Sequence, residues 1–309
     1  MPDISVVHID QALTDVSIAY RNLDYVADSL FPPRPVDKQS NKYLIYSKDR
    51  FRAIDDARRP GARANEIEWT LSTDTYYCEG HALAQAIPDE LRANADAALD
   101  IDIDTTETLT DLIYLQREIL AAAKAINTTT FSAQRKTAAA WDTSPSTPIS
   151  DVEAAKVAIM LATGKMPNKL LLSYPVFQKI RNHASIIARV QFAQRALPAD
   201  ISSAMLAAAF DVEQVLVAKA IKNTANEAAA DSMDWVWGKN AFLCYAPSAL
   251  GLRTVSVGAQ FRLNIGGGGF VVKRYRDESR TADMVEAQLY HDLKVVAAGA
   301  GYLFDACIS

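Results

Sequence analysis

Residues 104–131 read DTTETLTDLIYLQREILAAAKAINTTTF and spell one long helix in the middle of a strand-rich chain. Leu109, Leu112, Ile113, Leu120, Ala123 and Ile126 recur at three- and four-residue steps. Glu107, Asp111, Arg117, Glu118 and Lys124 occupy much of the remainder, as an amphipathic helix requires. Asp104, with Glu107 three residues later, reads as an N-cap with a capping-box carboxylate, and both charges suit the positive end of the helix dipole. At the far end Asn127 and three threonines replace strong helix formers, so fraying is expected there. Taken alone, the segment suits a core helix of an ordinary α+β domain.

Upstream, residues 43–76 run as YLIYSKDRF, RAIDDARRPGARANE and IEWTLSTDTYY. Two strand-like runs rich in Tyr, Ile, Trp and Thr flank a polar stretch with Pro60 and Gly61, the pattern of a long hairpin with a mobile tip. The hairpin is basic: Lys38, Lys42, Lys48, Arg50, Arg52, Arg58, Arg59 and Arg63 outnumber Asp37, Asp49, Asp55 and Asp56. The sign then reverses through Asp89, Glu90, Asp96, Asp100, Asp102, Asp104, Glu107 and Asp111, with Arg92 as the one base among them. A charge run is usually a solvated face. A long hairpin has little core of its own, however, and opposite-signed surfaces in one chain suit repeated head-to-tail contact between copies. Further upstream, an apolar pattern over residues 9–31 ends at Phe31-Pro32-Pro33-Arg34-Pro35, which enforces an extended path.

Downstream, Trp141 to Pro148 is a turn-rich connector and a candidate domain boundary. Ser150 with Glu153 reads as a second capping box, opening a helix that stops at Gly164. KLLLS (169–173) is a short buried strand, a helix follows with Pro175 in its first turn, and DISSAMLAAAF (200–210) is another helix. VEQVLVAKAIKNT (212–224) and AFLCYAP (241–247) are strands, and NTANEAAADSMD between them is a loop tip or a pore-lining loop. The last third alternates strands, RTVSVGAQFRL, FVVKRYRDE, TADMVEAQLYHDLKVV and GYLFDACI, with a flexible turn at four consecutive glycines, 266–269.

Half of the 309 residues are apolar, enough for a substantial core and about two domains. A net charge of -5 argues against a protein that mainly coats nucleic acid. Cys78, Cys244 and Cys307 have no metal spacing and fit a reducing compartment. The N-terminal residues lack the features of a signal peptide, no apolar run reaches a membrane span, and a soluble protein is expected. His8, His81, His183 and His291 are scattered, and neither a GxSxG elbow, an HExxH pair nor a phosphate loop is present. Asp100, Asp102 and Asp104 suit a solvated strand face better than a loose divalent site, since the glycine and distal Glu of a calcium loop are missing. Trp235 and Trp237 would share a strand face for packing. No catalytic residue, cofactor or metal follows from these patterns.

Three segments carry a resemblance: YRNLDYVADSLFPPRPVDKQSNKYLIYSKDRFR (20–52), GHALAQAIPDELRANAD (80–96) and PNKLLLSYPVFQKIRNH (167–183). With the order of arm, basic hairpin, long helix, α/β unit and returning strands, they resemble the major capsid proteins of tailed phages, whose Hong-Kong-type capsid fold is shared with encapsulins. The resemblance covers residues 10 to the C-terminus. It implies an α+β fold with an N-terminal arm (1–40), an extended loop (41–80), a peripheral domain (81–147 and 266–309) holding the spine helix 104–131, and an axial domain (148–265). It further implies hexamers and pentamers that form an icosahedral head around double-stranded DNA in the virion, assembled in the host cytoplasm. A separate scaffolding protein, a portal and a cement or decoration protein are the implied partners, with no membrane and no enzymatic activity. The extended loop would lie over an adjacent subunit, placing Arg50, Arg52, Arg58, Arg59 and Arg63 near Asp100, Asp102, Asp104, Glu107 and Asp111 of that neighbour. Lys42 and Lys48 lie in the loop that carries an isopeptide crosslink in some members, but the acceptor and assisting Glu have no match, so the crosslink does not carry over. Two other classes stay open: an encapsulin-like compartment holding cargo enzymes, and an unrelated enzyme with a cryptic site within residues 148–247.

Overall fold

The computed structural model describes residues 25–309 except 62, 69, 95–100, 144, 195–200, 227–228, 252 and 266–268. Most of the expected N-terminal arm, Asp96, Asp100 and three of the four glycines therefore lie outside the described residues. In chain order the described elements are α1 (Ala27–Leu30), β1 (Pro33–Val36), β2 (Ser40–Tyr46), β3 (Leu71–Tyr77), β4 (Glu79–Pro88), α2 (Asp89–Asn94) and α3 (Ile101–Ala125). They continue with β5 (Arg135–Lys136), α4 (Pro148–Thr163), β6 (Lys169–Ser173), α5 (Tyr174–Arg181), α6 (Ala184–Gln194), α7 (Ser203–Phe210), β7 (Gln214–Ala218), β8 (Ile221–Asn223) and β9 (Met233–Trp235). The chain closes with β10 (Ala241–Cys244), β11 (Gly258–Leu263), β12 (Phe270–Asp277), β13 (Ala282–Val295) and β14 (Gly301–Phe304).

Two five-stranded sheets organise these elements. In the first, β13 is long enough to serve three partners: β12 and then β11 along one edge, and β4 along the other, all antiparallel. β1 adds to β11 in parallel, so residues just past the proline segment become a sheet strand. Gly258 on β11 is required there, because a Cβ would fall 2.3 Å from the Phe31 ring. The second sheet has the order β5-β14-β10-β6-β7. Its strand β6 shows the period-two rule: Leu170 and Leu172 face one cluster, packed under α4, α5, α6 and α7, while Leu171 faces another. The sheets do not follow the expected division at residue 265. β11, expected in the axial part, pairs with β13, and β14, expected in the peripheral part, pairs with β10. The reason is that the chain crosses back after β13, which places a buried run, Leu303 and Phe304, in the second sheet.

The long helix α3 spans 25 residues, about 37 Å at 1.5 Å per residue. Its first half, Leu109 and Ile113, packs on β4, β12 and β13 through Ile87, Phe270, Val272, Val285 and Leu289. Its last turns, Ala121, Ala122 and Ala125, pack beneath the second sheet with Leu30, Phe31, Phe131, Leu171 and Phe242. One helix thus joins both cores. Two expectations about it need correction. Asp104 does not cap it: the helix already runs from Ile101, and the Asp104 carbonyl accepts the Thr108 hydroxyl at 2.8 Å. The Asp102 carboxylate, clamped by Arg92 and Arg274, holds the earlier turn in place. The buried stripe is also rotated, running through Thr105, Leu109, Ile113, Arg117, Ala121 and Ala125, while Leu112 and Ala123 face outward. Thr106 and Thr110 tolerate burial because their hydroxyls bond the carbonyls one turn back, each at 2.7 Å.

In α4 the expected Ser150–Glu153 cap is likewise displaced: the helix begins at Pro148, proline being preorganised for the first turn. Its end is as read, at Gly164 with φ +67°. Trp141, in the expected connector, is buried and donates to Asp151 Oδ2 at 2.8 Å, so this end of the connector is packed into the core.

Candidate assembly surfaces

The hairpin formed by β2 and β3 pairs Ser40 with Tyr77 through Tyr46 with Leu71. Its base is anchored: Tyr76 stacks on Phe261 at 4.4 Å, Tyr43 lies 5.4 Å from the same ring, and Tyr77 N–H donates to Asp292 at 3.0 Å. Burial and the acceptor Asp74 push the Tyr43 hydroxyl well above its ordinary pKa, keeping it a donor. Past Tyr46 the chain leaves this support. Leu44, Ile54, Ile67 and Leu71 are exposed, and Phe51 is 67% exposed, touching the subunit beside Gly164. A turn at Lys48–Phe51 holds the two arms together, since Asp49 accepts from both Ser47 and Thr70, which lowers its pKa.

Arg50, Arg52, Arg58, Arg59 and Arg63 are all exposed on this projection. Arg52 pairs with Asp49 at 3.0 Å and Arg50 sits over Tyr46, whereas Arg58, Arg59 and Arg63 form no ion pair with a described residue. The acidic start of α3 is less available than its sequence suggests. Asp102 is held by Arg92 at 2.8 Å and Arg274 at 3.2 Å. Asp111 accepts from the Tyr25 hydroxyl at 2.9 Å. Asp104 is exposed, Glu107 half-buried, and Asp100 lies outside the described residues. Within one chain the structure brings no basic residue of the hairpin into an ion pair with these acids among the described residues. The arginines that do meet Asp102 and its neighbours come from α2 and β12. Arg276 grips Asp89 with two hydrogen bonds of 2.6 Å, and Arg274 binds Asp283 at 3.0 Å, drawing both aspartate pKa values down.

A second set of functional contacts escaped the sequence reading. Glu118, read there as part of the polar face, is fully buried and accepts from Ala27 N–H at 2.8 Å, Val26 N–H at 3.2 Å and Trp237 Nε1 at 2.7 Å. Burial pushes its carboxyl pKa up against those three donors. Arg117 beside it lies 3.1 Å from Asp28, which Arg262 also meets at 2.8 Å, and Lys169 Nζ donates to Ser29 O at 2.7 Å. Residues 25–31 are thereby latched onto α3. The sequence signal was faint: adjacent opposite charges beside a helix stripe look like solvent-facing residues.

The axial candidate for a cryptic active site is a shallow depression of about 490 Å³ lined by Glu153, Lys156, Val157, Met160, Met166, Arg189 and Asp211. Its charged groups pair with one another, Lys156 with Asp211 at 3.0 Å and Arg189 with Glu153 at 3.3 Å. The adjoining face of α4 is apolar and open, with Leu161 84% exposed beside Val157 and Met160. His81 and His291 meet at 4.5 Å between rings, and no group of three or more His, Cys, Asp or Glu suited to a metal occurs among the described residues. Trp235 stacks on Tyr174 at 5.2 Å, while Trp237 lies beyond the end of β9 and serves Glu118. No described helix is long and apolar enough to cross a membrane.

Chains similar to this one in sequence and in fold occur among known proteins. The major capsid protein of Burkholderia phage BcepMu is 25% identical over 244 residues, 77% of this chain and 76% of that protein. The chain is a relative of the phage major capsid proteins. A phage-related protein from Bordetella bronchiseptica RB50 is 25% identical, with a TM-score of 0.76 over 98% of each chain. The capsid structure of cyanophage P-SCSP1u shares the fold at 11% identity, with a TM-score of 0.60 over 91% of this chain and 87% of that one. No family model matches the sequence. The Hong-Kong-type capsid fold read from the sequence is the fold of this chain.

Proposed function

We propose that this capsid chain is the shell-forming subunit of a tailed-phage head, assembling as hexamers and pentamers into an icosahedral shell around double-stranded DNA. The observation that carries the reading is the hairpin. Its distal arms expose Leu44, Phe51, Ile54, Ile67 and Leu71 next to a cluster of arginines, a surface with no core of its own. Burying one such side chain contributes about 1.5–3 kcal/mol, so a neighbouring copy has much to gain by covering it. Arg58, Arg59 and Arg63 are the bases left for that neighbour, and Asp104 and Glu107 are the acids of the spine helix left to meet them. The arm, extended loop, peripheral and axial parts are assigned to this role, with β11 counted in the first sheet and β14 in the second. Assembly in the host cytoplasm, a scaffolding protein, a portal and a cement protein belong to the same reading.

The test is negative-stain microscopy of the purified chain and of the double variant Arg58→Glu/Arg59→Glu. Closed shells of regular diameter are expected from the unmodified chain, and impaired assembly of a folded monomer from the variant. A dispersed monomer under all conditions overturns the reading, and an unchanged shell from the variant removes the arginines from it. Protein cargo without DNA in shells purified from infected cells would favour the encapsulin-like alternative.

A further inference from the structure

Strand β4 forms one margin of the first sheet and, among the described residues, is paired along one side only, with β13. That ladder runs without a bulge from Glu79 opposite His291 to Pro88 opposite Ala282. Its two ends fix which residues turn toward β13. Tyr77 N–H donates to Asp292 on β13, and the next residue turns the other way: Cys78 N–H donates to Gln39 O at 2.8 Å, and Gln39 Nε2 donates to Cys78 O at 3.2 Å. On β13, Tyr290 N–H donates away from β4, to Gly269 O at 3.4 Å. Alternation then points the backbone groups of His81, Leu83, Gln85 and Ile87 at β13 and those of Gly80, Ala82, Ala84 and Ala86 off the sheet. None of these four outward residues forms a further backbone hydrogen bond to a described residue. Gly80, Ala82 and Ala84 are exposed and Ala86 is half-buried.

A long edge is normally guarded by lysine, proline, a bulge or a covering element. The hairpin edges are closed by side chains: Asn41 Oδ1 accepts the Lys42 N–H at 2.8 Å on β2, and Asp74 Oδ1 accepts the Thr75 N–H at 2.7 Å on β3. Past Cys78, β4 reads EGHALAQAIP, with neither lysine nor arginine and no proline before its last residue. The strand that fits such an edge is a second β4. Two copies laid antiparallel about a two-fold axis at Leu83 set Gly80 opposite Ala86 and Ala82 opposite Ala84, so every outward residue of each copy is paired. Moving the axis to Ala82 sets Ala86 against Cys78, already closed by Gln39, and moving it to Ala84 sets Gly80 against Pro88, which has no N–H. With the axis at Leu83 the two Glu79 stand at opposite ends. Leu83, 40% exposed on the face where Ile87 packs against α3, meets its own copy there.

We propose that β4 is a two-fold contact between copies of this chain, joining the first sheets of two subunits edge to edge through residues 80–86. It is separate from the hairpin contact: a hairpin laid on the next copy is head-to-tail and closes a ring, whereas a two-fold β4 pair joins one ring to another. The test places single cysteines by Leu83→Cys and Gln85→Cys in the full-length chain, treats each with oxidised glutathione and runs a non-reducing gel. Cys78, Cys244 and Cys307 are buried and stay out of the reaction. At the axis the two position-83 Cα atoms lie about 4.5 Å apart, within disulfide reach, whereas the two at position 85 are offset by four residues, about 13 Å. A disulfide-linked dimer is expected from Leu83→Cys and none from Gln85→Cys. Adding Ala84→Pro to Leu83→Cys should abolish the dimer, since proline removes an outward N–H and leaves the β13 ladder in place. The dimer should persist in the Arg58→Glu/Arg59→Glu background, so failure of the hairpin contact and failure of this one are read separately. Cross-linking at position 85 that matches or exceeds that at 83, none at either, or a dimer undiminished by Ala84→Pro overturns it. Should Ala84→Pro fail to fold, the comparison of the two cysteine positions decides alone.

Discussion

Replacing Glu118 by Ala removes the one acceptor that three buried donors share, the backbone N–H groups of Val26 and Ala27 and the Trp237 indole. Leaving a buried donor unpaired costs about 1–3 kcal/mol, so three of them set a loss of about 3–5 kcal/mol once partial rehydration is allowed. Glu118→Gln keeps one oxygen and turns an amide donor toward the remaining N–H, a loss of about 1–3 kcal/mol. The pH dependence has a definite sign. The folded carboxyl pKa is raised above its unfolded value, so this linked contribution is fully present below the unfolded pKa and is lost as pH rises through the folded one. The advantage of the parent over the Gln variant should therefore grow on acidification into that window. Urea unfolding of the dispersed chain followed by tryptophan fluorescence measures the loss, and hydrogen exchange at Val26 and Ala27 reports release of the latch. An Ala variant within about 0.5 kcal/mol of the parent, with those amides still protected, refutes the reasoning, since a typical surface substitution does as much.

Three further outcomes follow from the geometry. Gly164→Ala forces a side chain into the left-handed region at φ +67° and places its Cβ 2.8 Å from the Phe51 ring; a loss of about 1–2 kcal/mol is expected in urea unfolding. Asp283 has its pKa lowered chiefly by Arg274, so its stabilisation is present above the unfolded aspartate value near 3.9 and is lost as pH falls through the lowered folded value; Asp283→Asn should flatten this acid limb of the stability curve. Cys78, Cys244 and Cys307 are buried with raised pKa values, Cys78 at about 11 and Cys244 at about 12, so a thiol reagent at pH 8 should label none of them until denaturant is added.

What the sequence made legible follows from where the signals reside. The spine helix was readable because Leu109 and Ile113 repeat at a helical step, and the hairpin because runs rich in Tyr, Ile, Trp and Thr flank a polar stretch with Pro60 and Gly61. Local signals fixed their type but not their orientation. Arg117 and Glu118 were placed toward solvent because their partners, Asp28, Val26, Ala27 and Trp237, lie 89 to 119 residues away. The same distance hid the sheet membership of β14, whose neighbours β10 and β5 precede it by more than fifty residues. The acidic run before α3 was visible as charge, but its use was not. Asp102 is satisfied by Arg274 from β12, a pairing that exists only after β4, β12 and β13 have assembled.

That difference bears on how copies meet under the proposed function. Exposed ion pairs are worth about 0–1 kcal/mol each, while each apolar side chain covered contributes about 1.5–3 kcal/mol. Leu44, Phe51, Ile54, Ile67 and Leu71 on the hairpin therefore supply the attraction, and Arg58, Arg59 and Arg63 choose where it is applied. Salt separates the two contributions. The screening length falls from about 10 Å at 0.1 M to about 3 Å at 1 M, which weakens repulsion between exposed charges and leaves apolar burial in force. Shell assembly by Arg58→Glu/Arg59→Glu should then recover in part at 1 M salt, whereas a polar replacement of Phe51, Phe51→Ser, should not. Recovery of both, or of neither, would reverse the assignment, because it would mean that charge and apolar contact do not play separate parts at this surface.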